Sequence, residues 1–174
     1  MTAKSIGHRP VVCVSKCLGF APCRYNGSIV RDGFVRKLKK RVKFITCCPE
    51  VEISLGVPRD PIRIVSVKGG YRLVQPATGL DVTKRMEKKC REILGALPVV
   101  DGFILKSRSP SCGLRDVKIY ATPDSAVPAG KGTGFFARAV VKRFPELPIE
   151  DENRLKIYRC RERFLTKLFG AKER

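Results

Sequence analysis

Apolar residues fall along this chain in two alternating textures. Val11 to Ser15 (VVCVS) is a short, nearly all-apolar run, the pattern of a strand buried on both faces of a parallel sheet. A Gly- and Pro-bearing loop, Lys16 to Ser28, separates it from Arg31 to Lys40, where Phe34, Val35 and Leu38 lie among bases and predict a short amphipathic helix. A second strand is predicted over Val42 to Thr46. Ile62 to Val67 and Tyr71 to Val74 flank Lys68-Gly69-Gly70, a hairpin with a Gly-rich turn. Asp81 to Leu97 is the strongest helical pattern: Val82, Met86, Ile93 and Leu97 share one stripe, and Pro98 stops it. Gly102 to Lys106 predicts another buried strand, followed by a Ser/Pro/Gly-rich loop, and Gly132 to Phe144 predicts a helix bounded by Pro145 and Pro148. Strands alternating with helices imply an α/β fold with a mostly parallel sheet. From Asp151 the texture changes. Ile157, Cys160, Phe164 and Leu168 recur at helical spacing among Arg154, Lys156, Arg159, Arg161, Arg163 and Lys167, so a basic amphipathic C-terminal helix is expected over 151–174.

The length of 174 residues fits one domain, since a single core typically serves about 100 to 200 residues. With 43% apolar and 30% charged residues the chain is neither disordered nor fibrous. Net charge changes the picture more. At +20 it far exceeds the magnitude of about 2 to 8 usual for a small domain, which points to a polyanionic partner. Basic clusters at Arg31 to Lys43, at Lys84 to Arg91 and in the C-terminal helix suggest a nucleic acid, with Arg36, Lys39, Lys40, Arg159 and Arg163 as candidate RNA contacts. Nine Phe, four Tyr and no Trp argue against an extended stacking platform and for a structured RNA held by its backbone. No apolar stretch is long enough to span a bilayer, and Met1 to Pro10 has no signal-peptide core, so a cytoplasmic protein without a membrane partner is expected.

In a reducing compartment eight cysteines imply metal ligation, reactive thiols or core filling before disulfides. Cys17, Cys48 and Cys112 each fall in a loop that directly follows a candidate parallel strand. Such loops meet in one crevice at the carboxyl edge of an open α/β sheet, so three thiols distant in sequence can converge there on an iron–sulfur cluster or a soft metal. No CxxC pair is present to specify which. Cys23, six residues after Cys17, is either a fourth ligand or a neighbour, whereas Cys13, Cys90 and Cys160 lie inside elements and Cys47 should point away from Cys48. Beside these loops stand Glu50, a carboxylate able to move a proton, and Lys106 to Gly113 (KSRSPSCG), whose bases and hydroxyls suit an anionic or carbonyl-bearing substrate. Ser15, Arg24, Lys106 and Ser111 are the candidate substrate contacts. The single histidine, His8, rules against a Ser/His/Asp triad or a His-rich zinc site, and neither a GxGxxG nor a Walker loop occurs.

VSKCLGFAPCRYNG (Val14 to Gly27), CPEVEISLGVPRDP (Cys48 to Pro61), QPATGLDVT (Gln75 to Thr83) and GFILKSRSPSCGL (Gly102 to Leu114) resemble the thiouracil desulfidase family. The resemblance covers most of residues 10–150 and is closest to the N-terminal half of the RNA-acting branch, the tRNA 4-thiouridine desulfidases. It implies a Rossmann-like domain over 1–150 with a [4Fe-4S] cluster held by Cys17, Cys48 and Cys112, the fourth iron being left open as a non-redox Lewis acid. It also implies that Glu50 and Ser109 form the acid–base pair, and that water replaces sulfur on a thiolated uracil, with 4-thiouridine in tRNA the expected substrate. CLGF and ISLGVP stand where the single-domain, free-base branch carries CLLG and GGLP. The RNA-acting branch has a further helical domain, so a separate partner domain is among the expected partners. The alternative from another class is a non-catalytic RNA-binding module with a structural zinc on Cys17, Cys23, Cys48 and Cys112; sulfur insertion would use the same ligands as removal.

Overall fold

A computed structural model describes residues 9–170; His8 lies outside them. In chain order the elements are β1 (Val11–Ser15), α1 (Gly33–Leu38), β2 (Lys43–Cys47), α2 (Pro49–Glu52), β3 (Arg63–Val67), β4 (Gly70–Gln75), β5 (Leu80–Asp81), α3 (Thr83–Ala96), β6 (Gly102–Leu105), β7 (Val117–Tyr120), β8 (Gly130–Gly132), α4 (Phe135–Arg143), β9 (Ile149–Asp151), a 3-10 turn (Arg154–Lys156) and α5 (Tyr158–Phe169). The main sheet has the order β2-β1-β6-β9 and is parallel throughout. From β1 the chain goes first to β2 on one side and later to β6 on the other, so the order reverses at β1, the point where open α/β sheets bind ligands.

The unbroken apolar texture of VVCVS and GFIL has a direct cause: this sheet is covered on both faces. Cys13, Phe103 and Leu105 pack on one side against Met86 and Ile93 of α3 and Phe136 and Val140 of α4. Val12, Val14 and Ile104 pack on the other against Val35 and Leu38 of α1 and Phe164 and Leu168 of α5. The alternation along each strand divides the core in two. A second sheet, β5-β4-β3-β7-β8, closes the α3/α4 side, with Ile64, Leu73, Val117 and Ile119 entering that core. It is antiparallel except for β3 with β7. The sequence pattern foresaw its β3–β4 hairpin but not β5, β7 or β8, whose two to four residues are too short to show a period.

The C-terminal segment also departs from its pattern. Asp151, the expected first residue of the basic helix, ends β9 in the main sheet, and α5 starts only at Tyr158. Ile157 is 51% exposed because it precedes the helix, and Leu155 on the 3-10 turn takes its expected place in the core. Leu168 is 1% exposed. Leu168→Ala should therefore destabilise the fold by about 3 kcal/mol, the range for a buried Leu truncation, read as a lower urea midpoint; an effect below about 0.5 kcal/mol would mean that α5 is not part of the core.

Candidate metal centre and active site

Cys17 follows β1, Cys48 follows β2 and Cys112 follows β6, three adjacent strands whose carboxyl ends lie together. Each loop has its own local logic. Leu18 N donates to Ser15 O and Val30 N to Cys17 O, turning the chain sharply after β1. Cys48 caps α2 with extended backbone and Pro49 opens the helix, so Cys48 faces the crevice while Cys47 points into the opposite core, its Sγ 3.8 Å from that of Cys13. In the third loop Gly113 N donates to Ser109 O, and a side chain at Gly113 would collide with Val117 and Ser109 O. Gly134 is required for a similar reason: α4 begins flush against the backbone of Ser111.

The loops are clamped together by Glu50. Its Oε1 accepts from Ser111 Oγ at 2.7 Å and Ser109 Oγ at 3.3 Å, joining the Cys48 loop to the Cys112 loop. Its Oε2 accepts from Arg59 Nη2 at 2.8 Å and Nε at 3.1 Å. Arg59 Nη1 donates in turn to Cys23 O at 3.1 Å and Gly56 O at 2.9 Å, which ties the Cys17–Cys23 loop to the same carboxylate. The Arg59 side chain is 4% exposed, and its two-nitrogen contact leaves the buried Glu50 carboxyl partnered by a guanidinium on one oxygen and by two hydroxyls on the other. Ser109 Oγ accepts from Cys112 N at 3.1 Å and Ser111 N at 3.2 Å, so its own proton is free to pass to Glu50 or Ser111.

The thiols of Cys23, Cys48 and Cys112 hold their protons more tightly than a free thiol when no metal binds. Burial pushes the Cys112 thiol up to about 12, tempered by hydrogen bonds from Ser15 and Ser111. A hydrogen bond with Cys23, then burial, pushes Cys48 up, and a hydrogen bond with Cys17 raises Cys23. Metal loading must release protons from this set. Among the described residues no three His, Cys, Asp or Glu are gathered closely enough to hold one metal ion. A zinc ion needs its sulfurs about 3.8 Å apart, from a Zn–S bond of about 2.3 Å. A cubane instead binds each thiolate through a different iron, and three thiols presented by three separate loops, with the Glu50 carboxylate beside two of them, suit that group. The closed four-thiolate zinc site is not preformed.

Ser15 is 2% exposed; its Oγ accepts from Lys106 N at 2.9 Å and its hydroxyl reaches the Cys112 thiol, so it braces that side chain. Lys106 Nζ is bonded to Glu152 Oε1 at 2.5 Å and to Ser107 O at 3.0 Å. Arg24, next to Cys23 in sequence, is half-buried and donates to Ser28 Oγ at 3.0 Å. Ser111 is buried against Glu50. Arg36, Lys39, Lys40, Arg159 and Arg163 are all exposed. Lys39 Nζ lies 4.1 Å over the Phe20 ring, and Arg41 over Phe169 at 4.3 Å links the ends of α1 and α5. Lys40 O accepts from Arg9 at 2.8 Å, just before β1, which puts the end of α1 at the amino edge of the sheet, opposite the thiols. Arg59 and Glu152 were not singled out in the sequence: Arg59 is a charge in a loop and Glu152 ends the acidic run Glu150-Asp151-Glu152, and only burial shows that each needs its partner.

A family model for 2-thiouracil desulfurase matches residues 12–152, which include all three thiols, Glu50 and both serines. The chain belongs to that family. It is 36% identical over 110 residues to the uncharacterised protein YbbK of Bacillus subtilis (strain 168), covering 59% of this chain and 73% of YbbK. Among solved structures it resembles a [4Fe-4S]-dependent thiouracil desulfidase, TudS, at 27% identity and a TM-score of 0.65, over 84% of this chain and 93% of that one. The 2-thiouracil desulfurase match ends at Glu152, the partner of Lys106, so it takes in β9 and the whole carboxyl edge of the main sheet.

Proposed function

We propose that this protein is a cytoplasmic [4Fe-4S]-dependent desulfidase that replaces sulfur by oxygen on a thiolated uracil, with 4-thiouridine in tRNA as substrate. The carrying observation is Glu50, a buried carboxylate paired with Arg59 that bridges the loops of Cys48 and Cys112 through Ser111 and Ser109. Cys17, Cys48 and Cys112 would hold the cluster. When bound, it supplies one iron without a protein ligand, a Lewis acid for the soft sulfur of a thiocarbonyl.

The chain's own groups do the rest. Glu50 Oε1 faces the two serine hydroxyls, while Oε2 is taken by Arg59, so the first oxygen is the one that accepts a proton from an attacking water. A C–O bond forms as the C–S bond breaks, sulfur leaves as sulfide, and Ser109 relays a proton between Glu50 and the leaving group. No electron is gained or lost. The buried, ion-paired arrangement holds these groups in place before the substrate arrives.

Anaerobic incubation of iron-loaded protein with 4-thiouridine-containing tRNA should release sulfide in step with loss of the thiolated base. Free 4-thiouridine and 2-thiouracil, run alongside, set the substrate size. Protein carrying about four irons that releases sulfide from none of the three would overturn the proposal, as would gain of thiolation by unmodified RNA.

A further inference from the structure

Two grooves on the face away from α1 and α5 have no part in the centre described above. The first, about 650 Å³, lies between the β3–β4 hairpin and the starts of α3 and α4, with Lys68, Arg72, Lys84 and Arg138 around exposed Tyr71. The second, about 400 Å³, runs along the outer side of α4 past Arg115, Val141 and Lys142 to Ile149. Arg138 lines both, 5.2 Å over the Tyr71 ring and 5.2 Å over that of Phe135, so the two form one track. Asp81 and Glu87 are the carboxylates of the first groove, and Asp81 is paired with Arg72 at 3.2 Å. Arg115 is paired with Glu150 and Asp151. Lys68, Lys84 and Lys142 make no ion pair with any described residue. The hairpin turn leaves its backbone open, since a side chain added at Gly69 or Gly70 would touch nothing.

The track is also joined to the catalytic loop. Phe135 lines the first groove and its N–H donates to Pro110 O at 3.1 Å, while Thr133 in the second donates to Leu114 O at 2.8 Å. Both carbonyls belong to the segment that carries Ser109, Ser111 and Cys112. Of the cations at the end of α1, by contrast, Lys40 lies toward the opposite edge of the sheet, and Lys39 is already engaged by Gly19 O and the Phe20 ring.

We infer that this Arg138-centred track, and not the α1/α5 face, is where the RNA strand carrying the target base runs, its phosphates on Lys68, Lys84, Arg138 and Lys142 and a base stacked on Tyr71. RNA as the polyanion rests on the uracil reading above; the concave shape, the unpaired cations and the aromatic ring carry the rest. An RNA without thiolated uracil serves as probe, so binding and desulfidation are read separately.

Anisotropy of a labelled unmodified tRNA transcript against the full chain should show affinity that falls steeply with salt. Lys84→Ala with Arg138→Ala should weaken binding about 10-fold or more and lower the log–log salt slope by about 2, one for each lost phosphate contact. Arg138→Lys should keep the slope, and Tyr71→Ala should weaken binding while leaving the slope unchanged. Lys40→Ala with Arg163→Ala should change affinity less than about 2-fold. Equal or greater weakening by that second pair overturns the inference, as does displacement of RNA by polyglutamate at equal charge concentration. Wild-type protein that desulfurises free 2-thiouracil but does not bind the transcript also overturns it, without touching the proposed chemistry. RNA binding with no sulfide release sinks the chemistry and leaves the track.

Discussion

Cys112→Ala should lose the cluster and the activity together. Cys112 is the thiol presented by β6, 5% exposed, with Ser15 and Ser111 hydroxyls directed at it. A cluster left with two thiolates is held at one edge, so anaerobic reconstitution should give far fewer than about four irons per chain and sulfide release below detection. Ligand binding to the folded state alone stabilises it. Loading should therefore raise the melting temperature of the parent protein and leave that of the variant unchanged. Cys90→Ala is the control: Cys90 is 2% exposed in α3, packed in the core shared with Met86 and Leu94. It should lower stability by about 1 kcal/mol while retaining iron and activity. A Cys112→Ala protein with full iron content would remove this thiol from the ligand set.

Glu50→Gln should separate chemistry from cluster assembly. Gln has almost the same shape and can still accept from Ser109 and Ser111, so iron content should stay at the parent level. It cannot take a proton from water, and kcat should fall by about 100- to 10,000-fold, the usual contribution of a general base. The variant also leaves the Arg59 guanidinium, 4% exposed on its side chain, facing a neutral amide. Breaking one partner of a buried pair costs about 3 to 5 kcal/mol, so the urea midpoint should fall as well. The second measurement matters because Arg59→Ala should lower stability by a similar amount, yet it keeps the carboxylate and so a larger share of kcat. A Glu50→Gln enzyme with parental kcat would show that water is activated elsewhere.

The parts of the site that were legible in the sequence share a physical basis. Strands buried on both faces must be apolar at every position, so VVCVS and GFIL mark themselves, and a thiol just beyond such a strand must lie at the sheet's carboxyl edge. That is enough to bring Cys17, Cys48 and Cys112 together. Strands such as β8 (Gly130–Gly132) and β9 (Ile149–Asp151) are different, since three residues acquire strand character only from the partner that pairs with them. The expected helix start at Asp151 failed for that reason: β9 extends the main sheet through β6, a contact across more than 40 residues that no local period records.

The sequence by itself determined the chemical inventory, the alternation that builds a two-faced parallel sheet, and the strand ends at which the three thiols stand. Tertiary structure alone decided how the charges are used. Glu50 meets Arg59 and the two serines, Lys106 meets Glu152, and Arg138 stands beside Phe135, whose N–H is bonded to the Ser109–Cys112 loop. Apolar periodicity is written locally, because burial is repeated along each element. Ion pairs and the placing of cations on one edge or the other depend on chain crossings, and a lone Arg in a loop looks the same in sequence whether it is buried against a carboxylate or free in water.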